Sequence, residues 1–152
     1  VSSLALSYVV GLLARREYSE FELRCKMQEK GFSEQDIAQT LAYCQQKHWQ
    51  DDKRFSENYL HIRSQRGYGV NRIKQELYQL KGIPKETINA VLSESDIDWP
   101  ALAQSVLRKK FPDYREMRDY KSKQKIWRYM LSHGFSAEEF TALVGSGENE
   151  EY

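Results

Sequence analysis

Three copies of one pattern run along the chain, and no other feature restricts its fold as much. Lys30-Gly31-Phe32-Ser33, followed by Ile37 and Leu41, returns as Lys81-Gly82-Ile83-Pro84 with Ile88 and Leu92, and again as His133-Gly134-Phe135-Ser136 with Phe140 and Val144. In every copy the apolar pair falls six and ten positions after the glycine, and the glycines stand 51 and 52 positions apart. Upstream, Leu23 and Met27 correspond to Ile73 and Leu77 and to Ile126 and Met130, with one extra residue in the middle copy. The recurring residues have local reasons. A glycine just past a helix closes it in the left-handed conformation that side chains resist, so Gly31, Gly82 and Gly134 mark helix ends. The serine or proline beyond opens the next helix. Ser33 with Asp36 and Ser136 with Glu139 read as capping boxes, like Ser19 with Glu22, and Pro84 suits a first turn that does not need its N–H.

Between these caps the apolar residues keep a helical period, as at Val9, Val10 and Leu13, at Phe55, Tyr59 and Ile62, and at Leu102, Val106 and Leu107. Few windows alternate with period two. The expected fold is all-α, with helices near 3–16, 19–30, 33–48, 51–66, 69–81, 84–95, 98–111, 119–133 and 136–144. These group as three-helix repeats over 1–50, 51–96 and 97–147, followed by an acidic tail at 148–152. A single triplet cannot bury its own apolar face, so the repeats are expected to stack into an elongated curved rod. The widest interruption is Phe111-Pro112-Asp113-Tyr114, where proline disfavours helix.

Composition removes several classes of function. The 152 residues carry 23 lysines and arginines against 22 aspartates and glutamates, a formal charge of +1, which excludes a globally basic nucleic-acid protein but not a locally basic face. Cys25 and Cys44 are too few for a disulfide scaffold and lack zinc-site spacing. Without an apolar run of membrane-spanning length or a charged signal-peptide start, a soluble, cytoplasmic protein is expected. Val1 in place of an initiator methionine points to a trimmed chain or to one that begins inside its gene. No catalytic constellation stands out, and neither a metal nor a cofactor is expected. His48 lies four residues after Cys44 and His61 four after Glu57, neither pair with a third ligand. Asp51-Asp52 reads as a helix N-terminus, and His133 as a helix-terminal charge at the position of Lys30 and Lys81.

The near-zero balance hides segregation. Between Lys53 and Lys85 eight basic residues face only Glu57 and Glu76; between Arg108 and Arg128 nine face Asp113, Glu116 and Asp119. Tyr59, Arg63 and Arg66 share one helical ridge, as do Lys121, Lys125 and Arg128. The loop Arg66-Gly67-Tyr68-Gly69 reads as a turn whose glycines, Gly67 and Gly69, take positive φ or let another backbone approach, with Tyr68 and Arg72 beside it. Such clusters favour a large acidic partner.

These residues resemble the RecX family of recombination regulators. The resemblance rests on Tyr18-Ser19-Glu20-Phe21-Glu22-Leu23, on Trp49-Gln50-Asp51-Asp52-Lys53-Arg54-Phe55, on Arg63-Ser64-Gln65-Arg66-Gly67-Tyr68-Gly69-Val70-Asn71-Arg72-Ile73 with Glu76-Leu77 and Lys81-Gly82-Ile83, and on Asp98-Trp99-Pro100-Ala101-Leu102-Ala103. Val70 departs from the proline that family members often carry there. The resemblance implies an all-helical, three-helix-repeat protein that lies in the groove of the RecA recombinase filament and suppresses its ATPase, strand-exchange and co-protease activities, with DNA contacts in some members. As partner-binding residues, for RecA or for single- or double-stranded DNA, we expect Arg63, Arg66, Tyr68 and Arg72, then Arg54, Lys74, Lys121, Lys125 and Arg128, in a monomer without enzyme activity. The alternative is a free-standing helical DNA-binding module.

Overall fold

The computed structural model describes residues 1–145 and 147, so the acidic tail expected at 148–152 lies outside them. Among the described residues the chain is helical, without strands: α1 (Ser3–Leu13), α2 (Glu20–Glu29), α3 (Glu34–Gln46), α4 (Asp52–Gln65), α5 (Val70–Gln79), α6 (Lys85–Glu94), α7 (Trp99–Lys110), α8 (Tyr120–Ser132) and α9 (Thr141–Val144). Among the described residues no helix is long and apolar enough to cross a membrane. Local capping chemistry sets the boundaries, at the caps read from the sequence and also at Asp98 and Asp119, which were not singled out there as caps. Ser19 and Glu22 close a full capping box on α2; Ser33 Oγ accepts from Asp36 N–H at 3.1 Å, and Asp98 and Asp119 cap α7 and α8. Pro84 sits one residue before α6 and supplies the carbonyl that accepts from Ile88 N–H. Asp51 caps α4, its Oδ1 accepting from Lys53 and Arg54 N–H at 2.8 and 3.1 Å.

One expected helix is corrected. The span 136–144 divides into a 3₁₀ turn, Ala137–Glu139, and the short α9, with Phe140 at φ −137° between them. Phe140 is fully buried, and its ring meets Trp127 edge-on at 4.9 Å. Placing that ring in the core turns the backbone out of the helical region, and burial outweighs one turn of helix.

The chain packs as two compact units: residues 1–60 with 76–94, and residues 61–75 with 95–152. The first has a core of Val9, Tyr18, Leu23, Met27, Ile37, Leu41 and Cys44; burial pushes the Cys44 thiol up from its ordinary range. The second is built on Ala103, Leu107, Phe111, Tyr114, Ile126, Met130, Phe135 and Phe140. All three repeats supply buried residues at the positions aligned by the repeat, Leu23 and Met27, Ile73 and Leu77, Ile126 and Met130.

Each unit contains the same joint, shifted by one repeat. In the first, the start of α2 meets the turn after α5: Ser19 Oγ–H donates to Lys81 O at 2.8 Å, Glu22 Oε2 pairs with Lys81 Nζ at 3.1 Å, and Phe21 lies over Gly82. In the second, the start of α5 meets the turn after α8: Gly69 N–H donates to His133 O at 2.7 Å, and Asn71 N–H to Gly134 O at 3.0 Å. In the second joint orphan N–H groups at one helix start meet orphan carbonyls at another helix end, and in the first the capping hydroxyl serves the carbonyl; both joints set opposite dipole ends together.

Candidate partner-binding surface

The second joint organises a cationic and aromatic cluster. Closing α4 at Gly67, with φ +89°, turns the chain so that Tyr68 is held between the end of α4 and the start of α5. The Arg63 and Arg72 guanidinium carbons lie 3.9 and 4.4 Å from the centre of the Tyr68 ring, within cation–π range. His133 stacks on Tyr68 at 5.2 Å with an interplanar angle of 7°, and Tyr129 stacks on His133 at 3.9 Å. Tyr129 O lies 3.0 Å from His133 Nδ1; a carbonyl only accepts, so that nitrogen carries the hydrogen. Arg72 Nη1 donates to Ser132 O at 3.2 Å.

Gly69 does not take positive φ as expected; its reason is contact. A Cβ there would stand 2.5 Å from the carbonyl carbon and oxygen of Gly134 and 2.6 Å from Phe135 N. The backbone that approaches the loop closely is therefore the chain's own. Gly31, Gly67, Gly82 and Gly134 do take positive φ.

Beside this cluster opens a cavity of about 420 Å³. Gln65, Arg66 and Gly67 from the end of α4 line it, with Leu102, Ser105, Val106, Lys109 and Lys110 from α7 and Tyr129 and His133 from the end of α8. No lining residue is acidic. The Lys110 ammonium stands 5.4 Å from the centre of the Tyr129 ring. Positive field is also felt at Tyr114, whose phenol a hydrogen bond from Arg115, helped by Arg108, holds below its ordinary range.

The remaining expected residues divide. Lys121, Lys125 and Arg128 are exposed along α8, and Lys125 lies one turn before Tyr129 on the same ridge. Arg66 and Lys74 are exposed as well. Among the described residues none of these five pairs with an acid, whereas Arg16, Arg24, Lys53, Arg54 and Lys81 of the other unit all do. Arg54 is engaged within its own unit: Nε donates to Glu17 Oε1 at 3.0 Å, Nη1 to His48 O at 2.8 Å and Nη2 to Trp49 O at 3.0 Å. It clamps the turn at His48, the one non-glycine residue with positive φ among those described. The motif Trp49-Gln50-Asp51-Asp52 is structural too: buried Gln50 donates to Tyr18 O and Asp52 Oδ1, and Asp52 Oδ1 accepts from Glu20 N–H. Tyr59 stacks on Phe55 and donates to Glu76 Oε1 at 2.9 Å.

Reading residue by residue missed Lys109, Lys110 and Tyr129 as parts of a site and placed His133 only as a helix-end charge. The signal was present in the basic run that closes α7, but a cationic helix end is explained by the macrodipole alone. No group of three or more potential metal ligands occurs among the described residues.

Comparison with known proteins gives a consistent result. Models of the first, second and third three-helix domains of RecX match residues 5–44, 51–92 and 96–142 in tandem. The chain is 66% identical over 152 residues to regulatory protein RecX of Mannheimia succiniciproducens, covering 100% of this chain and 99% of that protein. It is also 66% identical to regulatory protein RecX of Pasteurella multocida, over 99% of this chain and 92% of the relative. A crystal structure of regulatory protein RecX, 22% identical in sequence, shares the fold with a TM-score of 0.78 over 93% of this chain and 70% of that one.

Proposed function

The chain belongs to the RecX family, and from that premise we propose that it is a negative regulator of homologous recombination that binds the RecA filament and suppresses its ATPase, strand-exchange and co-protease activities. It acts as a cytoplasmic binding protein, not as an enzyme. The observation that supports this reading most is the end-to-end match of all three helical domains to regulators of one name. The α8 ridge adds a physical means. Lys121, Lys125 and Arg128 are exposed and carry no acid partner among the described residues, so their charge is available to an acidic filament surface or to phosphates. Lodged in the groove, the protein bridges protomers and blocks the second strand. It shifts the filament only as far as it binds one protomer arrangement better than another.

The test is RecA ATP hydrolysis on single-stranded DNA with and without this protein. Inhibition at near-stoichiometric amounts is expected. K121A/K125A/R128A is expected to inhibit less, and its inhibition to depend less on salt, with an unchanged helical circular-dichroism spectrum. Hydrolysis that the unaltered protein leaves untouched overturns the proposal. Tight duplex binding without RecA, together with that result, favours the free-standing DNA-binding module instead.

A further inference from the structure

We propose that the cavity between the ends of α4 and α8 and the face of α7 is a nucleotide-binding site that takes its ligand by a phosphate. Three cations border it, Arg66, Lys109 and Lys110, and among the described residues none of them pairs with an acid. A cleft lined by one sign of charge focuses its field on whatever enters, and guanidinium and ammonium groups together match a multiply charged phosphate. A single carboxylate would leave most of that charge uncompensated. The helix dipole favours cations at the end of α7 and, for Arg66, at the end of α4, but it does not explain why both ends open on one cavity.

The rest of the lining fits the remainder of a nucleotide. Leu102 and Val106 provide an apolar wall, with Ser105 as a neutral donor and acceptor beside it. The cavity, about 420 Å³, falls within the size range of small-molecule sites. The base is not held on His133, since Tyr68 and Tyr129 both stack on that ring. It lies instead along the Leu102 and Val106 side, with the phosphates toward Lys109 and Lys110. The phosphate-bearing nucleotide has two sources, a free nucleoside triphosphate or the 5′-phosphorylated end of a single strand. Neither requires RecA, so this site stands or falls independently of the filament reading.

Anisotropy titrations of the full chain alone test it, with a fluorescent dATP analogue in one arm and a labelled 5′-phosphorylated oligothymidylate in the other. Saturable 1:1 binding in either arm is expected and identifies the source; in the second arm, removal of the 5′-phosphate is expected to abolish it. K109A/K110A is expected to weaken binding about tenfold or more, equivalent to ~1.4 kcal/mol. Ser105→Trp, which fills the cavity, abolishes it, and R15A/K47A, which removes as much charge from the other unit, leaves it unchanged. Lys109 and Lys110 are exposed, so their replacement preserves the fold even where the tryptophan variant does not. No saturable binding in either arm overturns the proposal. So does binding that K109A/K110A leaves intact, or binding that orthophosphate displaces as readily as dATP does.

Discussion

Gly69 and Gly11 show how differently one residue type is constrained in this chain. A methyl group on Gly69 would lie 2.5 Å from the Gly134 backbone, in a joint whose hydrogen bonds fix both partners. Gly69→Ala is therefore expected to destabilise the protein by about 1–3 kcal/mol, the usual cost of overpacking, as read from urea denaturation. Gly11 sits inside α1 with open space around it, so Gly11→Ala is expected to add about 0.5–1 kcal/mol in the same assay. Arg54 belongs to the same scale. Its three side-chain bonds hold the His48 turn and leave little of the group for a partner. Arg54→Ala is expected to lower the denaturation midpoint, by about 1–2 kcal/mol for a half-exposed charged donor, and to leave RecA inhibition by the folded fraction unchanged. From sequence, Arg54 looked like any other member of a basic cluster, because nothing local distinguishes a paired guanidinium from an available one.

At the scale of the element, helix starts were legible because their chemistry lies within four residues. Ser19, Ser33, Asp98 and Asp119 all cap the helices that they open. Ser19 does more, since its hydroxyl also donates to Lys81 O and the residue is fully buried. Ser19→Ala removes a cap and leaves that carbonyl without its donor, and about 1–2 kcal/mol of lost stability is expected by thermal denaturation. Its partner Glu22 makes the same joint sensitive to acid. Burial pushes the Glu22 carboxyl up, but hydrogen bonds from Arg16, Ser19 N–H and Lys81 outweigh it and hold the group below the ordinary carboxylate range. With its folded pKa below the unfolded one, Glu22 stabilises the protein fully above about pH 4.3, and that share fades as pH falls through the lower folded value. Glu22→Gln is expected to be less stable at pH 7 and to lose less on acidification, as measured by urea midpoints at both ends of that range. The last helix went the other way. The cap and spacing at Ser136 promised one helix, and burial of Phe140 against Trp127 broke it in two.

Over the whole molecule, net charge divides between the two packing units. The unit containing 1–60 and 76–94 has ten basic and twelve acidic residues, and the other has thirteen basic and ten acidic. Three of those ten acids, Glu148, Glu150 and Glu151, fall in the tail. If the cations of the second unit meet an anionic filament, inhibition of RecA is expected to weaken steadily as salt rises from about 0.05 to 0.2 M, because exposed charges are screened over a Debye length near 10 Å. The concentration giving half-inhibition, measured across that range, checks this. By itself the sequence determined the first eight helices, the three-fold repeat and the families of charge, since caps, left-handed glycines and apolar spacing all act within one or two turns of chain. Only the tertiary structure decided that Gly69 packs on Gly134, that Arg54 is a clamp, and that Arg66, Lys109 and Lys110 border one cavity. Those relations join residues up to about 65 positions apart, and the distance between them is set by packing that no local preference encodes.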